Sequence, residues 1–166
     1  MRYLLNLSGI AIASTAIVAI APSAVAQKIT YTLTCQAIGG SAPEPLGDRE
    51  GHSIQIDDVS CRVDSGPLAG GVLTGMDIWE WDGTNAVSLA NNGIVRKPGA
   101  TAMYENTEAK LSLTITDGKV TGWTASGKGH LKMATGGAAA LAGKSCTYTA
   151  KPAGPVGQFT AETTSE

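Results

Sequence analysis

Apolar and polar residues alternate with a period of two along most of the chain beyond residue 27. Residues 28–36 show this pattern clearly, because Tyr31, Leu33 and Cys35 alternate with threonines. The period is typical of β-strands, whose successive side chains point to opposite faces of a sheet. It predicts further strands at residues 53–63, 72–81, 86–96, 101–116, 119–135, 144–151 and 157–162.

Turn-forming residues separate the predicted strands. Asp117 and Gly118 give the strongest hairpin signal, since both tolerate the positive φ that a two-residue type I′ turn requires. Two further features predict irregular positions within strands. Asp57 and Asp58 indicate a bulge or bend, and residues 91–93 indicate a disturbed strand. The longer breaks, which are rich in glycine, proline or alanine, lie at residues 37–51, 64–71, 97–99 and 136–143.

These patterns predict one all-β domain over residues 27–160, with a flexible polar tail at residues 161–166. Eight or nine strands joined by hairpin turns favour a closed antiparallel barrel, because closure removes the edges of a sheet. Glycines within residues 119–135 permit the strong coiling that a barrel needs. A β-sandwich is the alternative. An eight-stranded barrel is either filled by side chains or wide enough for one small ligand.

The first 26 residues carry a different pattern, in which Arg2 precedes a mostly apolar run over residues 4–21. The sequence AVA at residues 24–26 then places small residues at the two positions that a signal peptidase recognises. We therefore expect a secretory signal peptide cleaved before Gln27, and a periplasmic or secreted protein without a membrane span after cleavage. The alternative is an uncleaved anchor, but polar residues interrupt the apolar run, which would need about 20 apolar residues to span a bilayer.

Charge and motif content argue against several classes of function. The chain has 12 basic and 14 acidic residues and a net charge of −2. Nucleic-acid binding needs concentrated Lys and Arg to displace counterions, so this balance argues against it. The sequence contains no zinc-ligand spacing, phosphate-binding loop, dinucleotide fingerprint or nucleophile elbow, and we predict neither a metal site nor a cofactor.

Three cysteines in an exported chain imply one disulfide and one free thiol, or a bridge between two chains. We predict that Cys35 pairs with Cys61, because adjacent strands would bring these residues together. Pairing of Cys35 with Cys146 is the alternative, since the closing strand of a barrel lies beside the first. A nucleophilic thiol would need a positioned histidine, and neither His52 nor His130 has a spacing relation to a cysteine.

The best candidate site follows the alternation within residues 72–81, where an acid and two indoles share one face. Inside a barrel they would line a ligand cavity, and desolvation would raise the pKa of the acid. Aromatic residues of later strands, and Glu105 beside one of them, are expected to extend the walls. The candidate ligand-binding residues are Asp77, Trp79, Trp81, Tyr104 and Trp123.

Each of these residues also has an ordinary structural role. Tryptophan fills cores, and its N–H needs a partner that Asp77 would supply. A one-residue slip would exchange the two faces of the strand. In that register Glu80 is the buried acid and both tryptophans lie outside; we expect them inside, because two neighbouring exposed indoles would form a sticky patch. Asp57 and Asp58 lack the surrounding pattern of a calcium loop.

Residues 122–150, GWTASGKGHLKMATGGAAALAGKSCTYTA, resemble the late strands of the allene oxide cyclase and dirigent β-barrels. The shared features are a Gly-x-Gly strand, a turn at residues 134–136 and a strand that begins at Gly143. The resemblance implies an eight-stranded, calycin-like barrel. It also implies an action on apolar small molecules, which those families shape inside the barrel. No catalytic or binding residue of either family is placed on this sequence.

Three hypotheses of function remain. The leading one is an exported, non-catalytic barrel that binds a small apolar or aromatic molecule, or a partner in the cell envelope. The second is a cyclase- or isomerase-like enzyme that uses Asp77 or Glu80 as a buried acid. The third is a structural or interaction protein with a filled barrel. An open interior favours the first two hypotheses, and a packed core favours the third.

Overall fold

Nine antiparallel strands form one sheet in the computed structural model of the protein, which describes residues 28–40 and 42–166. The predicted signal peptide, residues 1–26, lies outside the described residues. A short 3-10 helix, Ala139–Leu141, lies within the connection predicted at residues 136–143. The strands are β1 (Ile29–Gly40), β2 (Glu44–Pro45), β3 (His52–Val63), β4 (Val72–Asp82), β5 (Asn85–Lys97), β6 (Ala100–Thr116), β7 (Lys119–Gly136), β8 (Ser145–Pro152) and β9 (Gln158–Ser165).

The sheet closes into a barrel because β1 pairs with β3 on one side and with β9 on the other. All other long strands pair with their neighbours in sequence, which gives eight strands in up-and-down order. The short strand β2 pairs with the start of β3, beyond the last pair between β3 and β1. The predicted barrel is therefore confirmed, and the sandwich alternative is wrong. Among the described residues, no helix is long and apolar enough to span a membrane.

The predicted hairpin between β6 and β7 is confirmed. Asp117 and Gly118 both have positive φ, at 51° and 74°, as a type I′ turn requires. Thr116 pairs directly with Lys119 across the turn. The two strands that leave this turn are the longest of the barrel, with 17 and 18 residues.

The predicted disulfide between Cys35 and Cys61 is also confirmed. The two residues are direct partners in the pairing of β1 with β3, so the bond crosses from one strand to the next. Cys146 is a free, buried thiol on β8. Its neighbours in the sheet are Gly129 and Ser165 rather than a cysteine, so the alternative pairing does not form.

The irregular positions within strands differ from those predicted. Asp57 and Asp58 pair regularly with β4, and the extra residue beside them is Ile38 of β1. Residues 91–93 also pair regularly with β4, and the extra residue of β5 is Leu89. A bulge changes which face later residues occupy. In β7 one extra residue is Lys132, and Met133 beyond it is 58% exposed, whereas Leu131 before it is buried.

The two ends of the barrel differ. At the end where β1 begins, buried Leu68, Ala138 and Leu141 cover the core. Strand β9 extends to this end, so residues 161–165 of the predicted polar tail are part of the sheet. Ser165 is fully buried, pairs with Ile29 and Cys146, and lies within hydrogen-bond distance of the Tyr31 hydroxyl.

Candidate functional site

The interior of the barrel contains a cavity of about 780 Å³. Leu68 and other apolar residues line it at the covered end, and the turn residues Gly51, Gly83 and Gly157 line it at the opposite end. Its volume falls within the roughly 300–1,000 Å³ range of small-molecule sites. The described interior therefore has room for a ligand.

All five predicted candidate residues lie on the wall of this cavity. Trp79 and Trp81 are buried on β4, at 4% and 8% exposure, so the expected inward register is correct. The Trp81 indole N–H donates to Gln55 Oε1 at 2.9 Å. Trp123 packs edge-to-face on Phe159, with ring centroids 5.6 Å apart. Whether these side chains bind a ligand stays a prediction.

Two predictions about acidic residues, Glu80 and Glu105, need correction. Glu80 is not a buried cavity acid, because it lies on the outer face of β4 and its carboxylate contacts His52 Nε2 at 2.8 Å. Glu105 does not extend the wall beside Tyr104, since successive residues of a strand face opposite sides. Its carboxylate instead contacts Lys132 outside the cavity, at 2.9 Å.

Glycines make room for the large rings on the cavity wall. A Cβ atom at Gly93 would lie 2.8 Å from Tyr104 Cζ, and one at Gly75 would lie 2.8 Å from the Tyr104 hydroxyl oxygen. Gly127 leaves the same kind of space for the ring of Tyr148. Close approach of this kind is a reason for glycine inside a strand. The rings can therefore lie along the wall and leave the interior open.

Two carboxyl groups lie side by side on the wall, because Asp57 of β3 is the direct partner of Asp77 in β4. The Gln55 side-chain amide donates to both oxygens of Asp57, at 2.9 and 3.0 Å. Asp77 Oδ1 is buried and has no hydrogen-bond partner among the described residues. Burial and, secondarily, the charge of Asp57 raise the pKa of Asp77 to about 7. Burial likewise raises the pKa of Asp57, against the opposing effect of Gln55.

Neutral polar groups surround this pair. Asn91 of β5 is the partner of Asp77 in the sheet, and the Asn106 side-chain amide donates to Asn91 Oδ1 at 2.7 Å. Burial raises the pKa values of Tyr104 and Tyr148, so both hydroxyls stay protonated at neutral pH. The cavity therefore contains a polar band between apolar ends.

The polar band contains residues that sequence reasoning missed. Alternation through Val59 and Cys61 places Asp57 on the inner face of β3, and that signal was available in the sequence. Asp58 faces the other side, so these two acids do not form one site. Asn91 and Tyr148 carried no such signal, because strand pairing brings them to Asp77. The residues missed are Gln55, Asp57, Asn91, Asn106 and Tyr148.

Neither histidine contributes to the cavity wall. His52 is buried at the start of β3, where its two ring nitrogens contact Asp48 at 2.5 Å and Glu80 at 2.8 Å. These hydrogen bonds, that of Asp48 first, raise the pKa of His52. His130 lies on the outer face, 3.5 Å from the Glu105 carboxylate. No group of three or more potential metal ligands occurs among the described residues.

No protein-family model matches the chain, and no curated protein matches it significantly. Residues 122–150, which resemble allene oxide cyclase and dirigent barrels, form most of β7, the 3-10 helix and most of β8. That resemblance stays an expectation. Because a barrel fold does not fix a function, the function has to follow from the chemistry of the cavity.

Proposed function

We propose that this protein is an exported β-barrel that binds a small, mainly apolar aromatic molecule inside the barrel. The observation that carries the proposal is the cavity of about 780 Å³ with three tryptophans on its wall. Large aromatic side chains offer stacking and edge contacts to a ring-containing ligand. A protein with a purely structural barrel would gain stability by filling this space with side chains.

A fluorescence titration with neutral N-phenyl-1-naphthylamine tests the proposal. We expect saturable fluorescence enhancement with the purified exported protein. Trp123→Leu removes an indole from the cavity wall and should weaken binding roughly tenfold, the equivalent of about 1.4 kcal/mol. Thr124→Ala alters the adjacent exposed residue of β7 and is the matched control. Absence of binding, or equal affinity of the two variants, contradicts the proposal.

Export is supported by the signal peptide that the sequence predicts and by the disulfide, because disulfides persist mainly in oxidising compartments. Cleavage before Gln27 would leave the described barrel intact, since β1 begins at Ile29. We expect N-terminal sequencing of the exported protein to begin at Gln27. Exported protein that retains residues 1–20 would contradict signal cleavage.

A cyclase or isomerase activity is the second candidate, and Asp77 is the observation that favours it. A cavity carboxyl with a pKa of about 7 suits proton transfer near neutral pH. Mass spectrometry identifies a ligand that co-purifies with the protein, and chromatography, which separates isomers of equal mass, tests whether the protein converts it. A ligand recovered in the same form after incubation supports binding alone, whereas conversion to an isomer that stops in Asp77→Asn supports catalysis.

A further inference from the structure

Charge is unevenly distributed on the cavity wall. Asp57 and Asp77 both lie on it, whereas no Lys, Arg or His does so in the part of the chain that the structure describes. The neighbouring side chains of the polar band are amides and protonated phenols, which carry no charge. The cavity therefore has negative charge without an internal counterion, and a buried charge of this kind favours a cationic partner.

Asp77 also has unused hydrogen-bonding capacity. Its Oδ1 atom is buried without a partner among the described residues, although an ionised carboxylate accepts several hydrogen bonds. Asp57, by contrast, accepts from Gln55 Nε2 at both of its carboxylate oxygens. A cationic ligand beside Asp77 would therefore offset the charge of a carboxyl group that the protein leaves incompletely hydrogen-bonded.

The same stretch of wall carries aromatic rings. Trp79 is two residues from Asp77 on the same face of β4, and Trp81 is two residues further along. An alkylammonium group gains attraction from the face of an indole as well as from a carboxylate. A calcium or magnesium ion fits this environment less well, because each takes six or more oxygen ligands, and the described residues offer no metal-binding cluster.

We infer that the ligand is an aromatic amine whose protonated alkylammonium group binds to Asp77 and Asp57 while its ring occupies the tryptophan-lined part of the cavity. This inference rests on the proposed binding function and adds the ligand's charge. An ammonium group donates up to three hydrogen bonds, which suits two adjacent carboxyl groups. The apolar remainder of the cavity accommodates the ring.

The inference carries a pH dependence. Asp77 faces Asp57 of β3, Asn91 of β5, Tyr104 of β6 and Tyr148 of β8, and the Cys146 thiol of β8 lines the same cavity. Burial raises the pKa values of both phenols and of the Cys146 thiol, so these groups stay neutral through neutral pH. A proton on Asp77 competes with the ammonium group. Amine affinity should therefore increase as pH rises through about 7, while binding of a neutral analogue should not change.

Two isosteric probes test the inference in the purified exported protein: 1-(aminomethyl)naphthalene, which is cationic, and 1-ethylnaphthalene, which is neutral. Calorimetric titration at pH 8 should show the amine binding at least tenfold more tightly than its analogue. Asp77→Asn and, separately, Asp57→Asn should reduce amine affinity at least fivefold and leave the neutral probe unaffected. Asp58→Asn is the matched control, because Asp58 is an exposed neighbour on the outer face of β3.

The possible outcomes separate the inference from the proposal on which it rests. Equal affinity of the two probes, or a preference that survives in both cavity variants, overturns the inference while ligand binding stands. Failure of both probes to bind overturns the inference and the proposed function together. Because the comparison of probes in the unmodified protein needs no substitution, a variant that fails to fold does not remove the test.

Discussion

At the scale of single residues, Asp77 and His52 show how neighbours set protonation in opposite ways. Asp77 lies in the cavity, where burial and Asp57 both oppose ionisation. His52 lies outside it, where carboxylates at both ring nitrogens favour the imidazolium form. The environment of Asp77 is unfavourable to folding at neutral pH. Such a cost in stability is common at residues that bind a ligand. The hydrogen bonds of His52 join the segment before β3 to β4.

Replacing Asp77 with Asn should stabilise the protein in a pH-dependent way. The folded-state pKa of about 7 exceeds the ordinary value of 3.8, so the contribution of Asp77 to stability is present below the unfolded pKa and is lost as pH rises to 7. Asn does not ionise. Urea unfolding measures the difference in free energy of unfolding between Asp77→Asn and the unmodified protein. This difference should grow in favour of the variant between pH 4 and pH 8. At about 1.4 kcal/mol per pKa unit, the increase is at most roughly 4 kcal/mol.

Asp58→Asn is the control for this measurement, because Asp58 is exposed. It should show no comparable gain at pH 8. A gap for Asp77→Asn that stays constant with pH would contradict burial of an ionisable carboxyl in the cavity.

His52 should titrate above its ordinary pKa of 6.5, because the hydrogen bonds that it donates to Asp48 and then to Glu80 stabilise its charged form. Its stabilising effect is present below 6.5 and is lost as pH rises through the raised folded-state pKa. An NMR titration of the imidazole protons measures that value directly, and Asp48→Asn should lower it. A pKa at or below 6.5 in the unmodified protein would show that the two contacts do not form.

At the scale of elements, alternation predicted each long strand to within a few residues, because one face of every strand is buried. The bulges escaped prediction because an inserted residue leaves no compositional mark. Leu89 is apolar but 55% exposed, whereas nearby Asn91 is polar but buried. Only the part of the candidate site that lies on one strand could be predicted from the sequence. Asp77, Trp79 and Trp81 share one strand, but pairing between strands, which no single segment encodes, brings the other polar residues beside them.

The packing of tyrosine against glycine in neighbouring strands gives a test at this scale. Gly93→Ala would place a methyl group against the ring of Tyr104, and overpacking of this kind costs about 1–3 kcal/mol. Gly122→Ala is a matched control on β7, because its Cβ would meet nothing nearer than Thr114 at 4.0 Å. The control should change the free energy of unfolding by less than about 0.5 kcal/mol.

Chemical denaturation of the two variants measures this difference. Combining Gly93→Ala with Tyr104→Ala should cost less than the sum of the single changes, since the second substitution removes the clash. If Gly93→Ala and Gly122→Ala change the free energy of unfolding equally, Tyr104 does not pack over Gly93.

At the scale of the whole molecule, closure of the barrel depends on pairs that are distant in sequence. Strand β1 must pair with β9, and Ile29 and Ser165 are partners from opposite ends of the described chain. Such long-range pairing has a large entropic cost and slows folding. The Cys35–Cys61 bond joins β1 covalently to β3, which is its neighbour on the side away from β9.

Loss of this disulfide should therefore destabilise the whole barrel. The bond closes a loop with a sequence separation of 26 residues, for which the chain-entropy argument gives roughly 3 kcal/mol of stabilisation. In urea unfolding, a reductant should lower the stability of the unmodified protein and of Cys146→Ala by about this amount. The double variant Cys35→Ala/Cys61→Ala should be less stable from the start and insensitive to reductant. If the reductant instead leaves the unmodified protein unchanged, or if non-reducing peptide mapping links Cys146 to another cysteine, the pairing that joins β1 to β3 is refuted for the protein in solution.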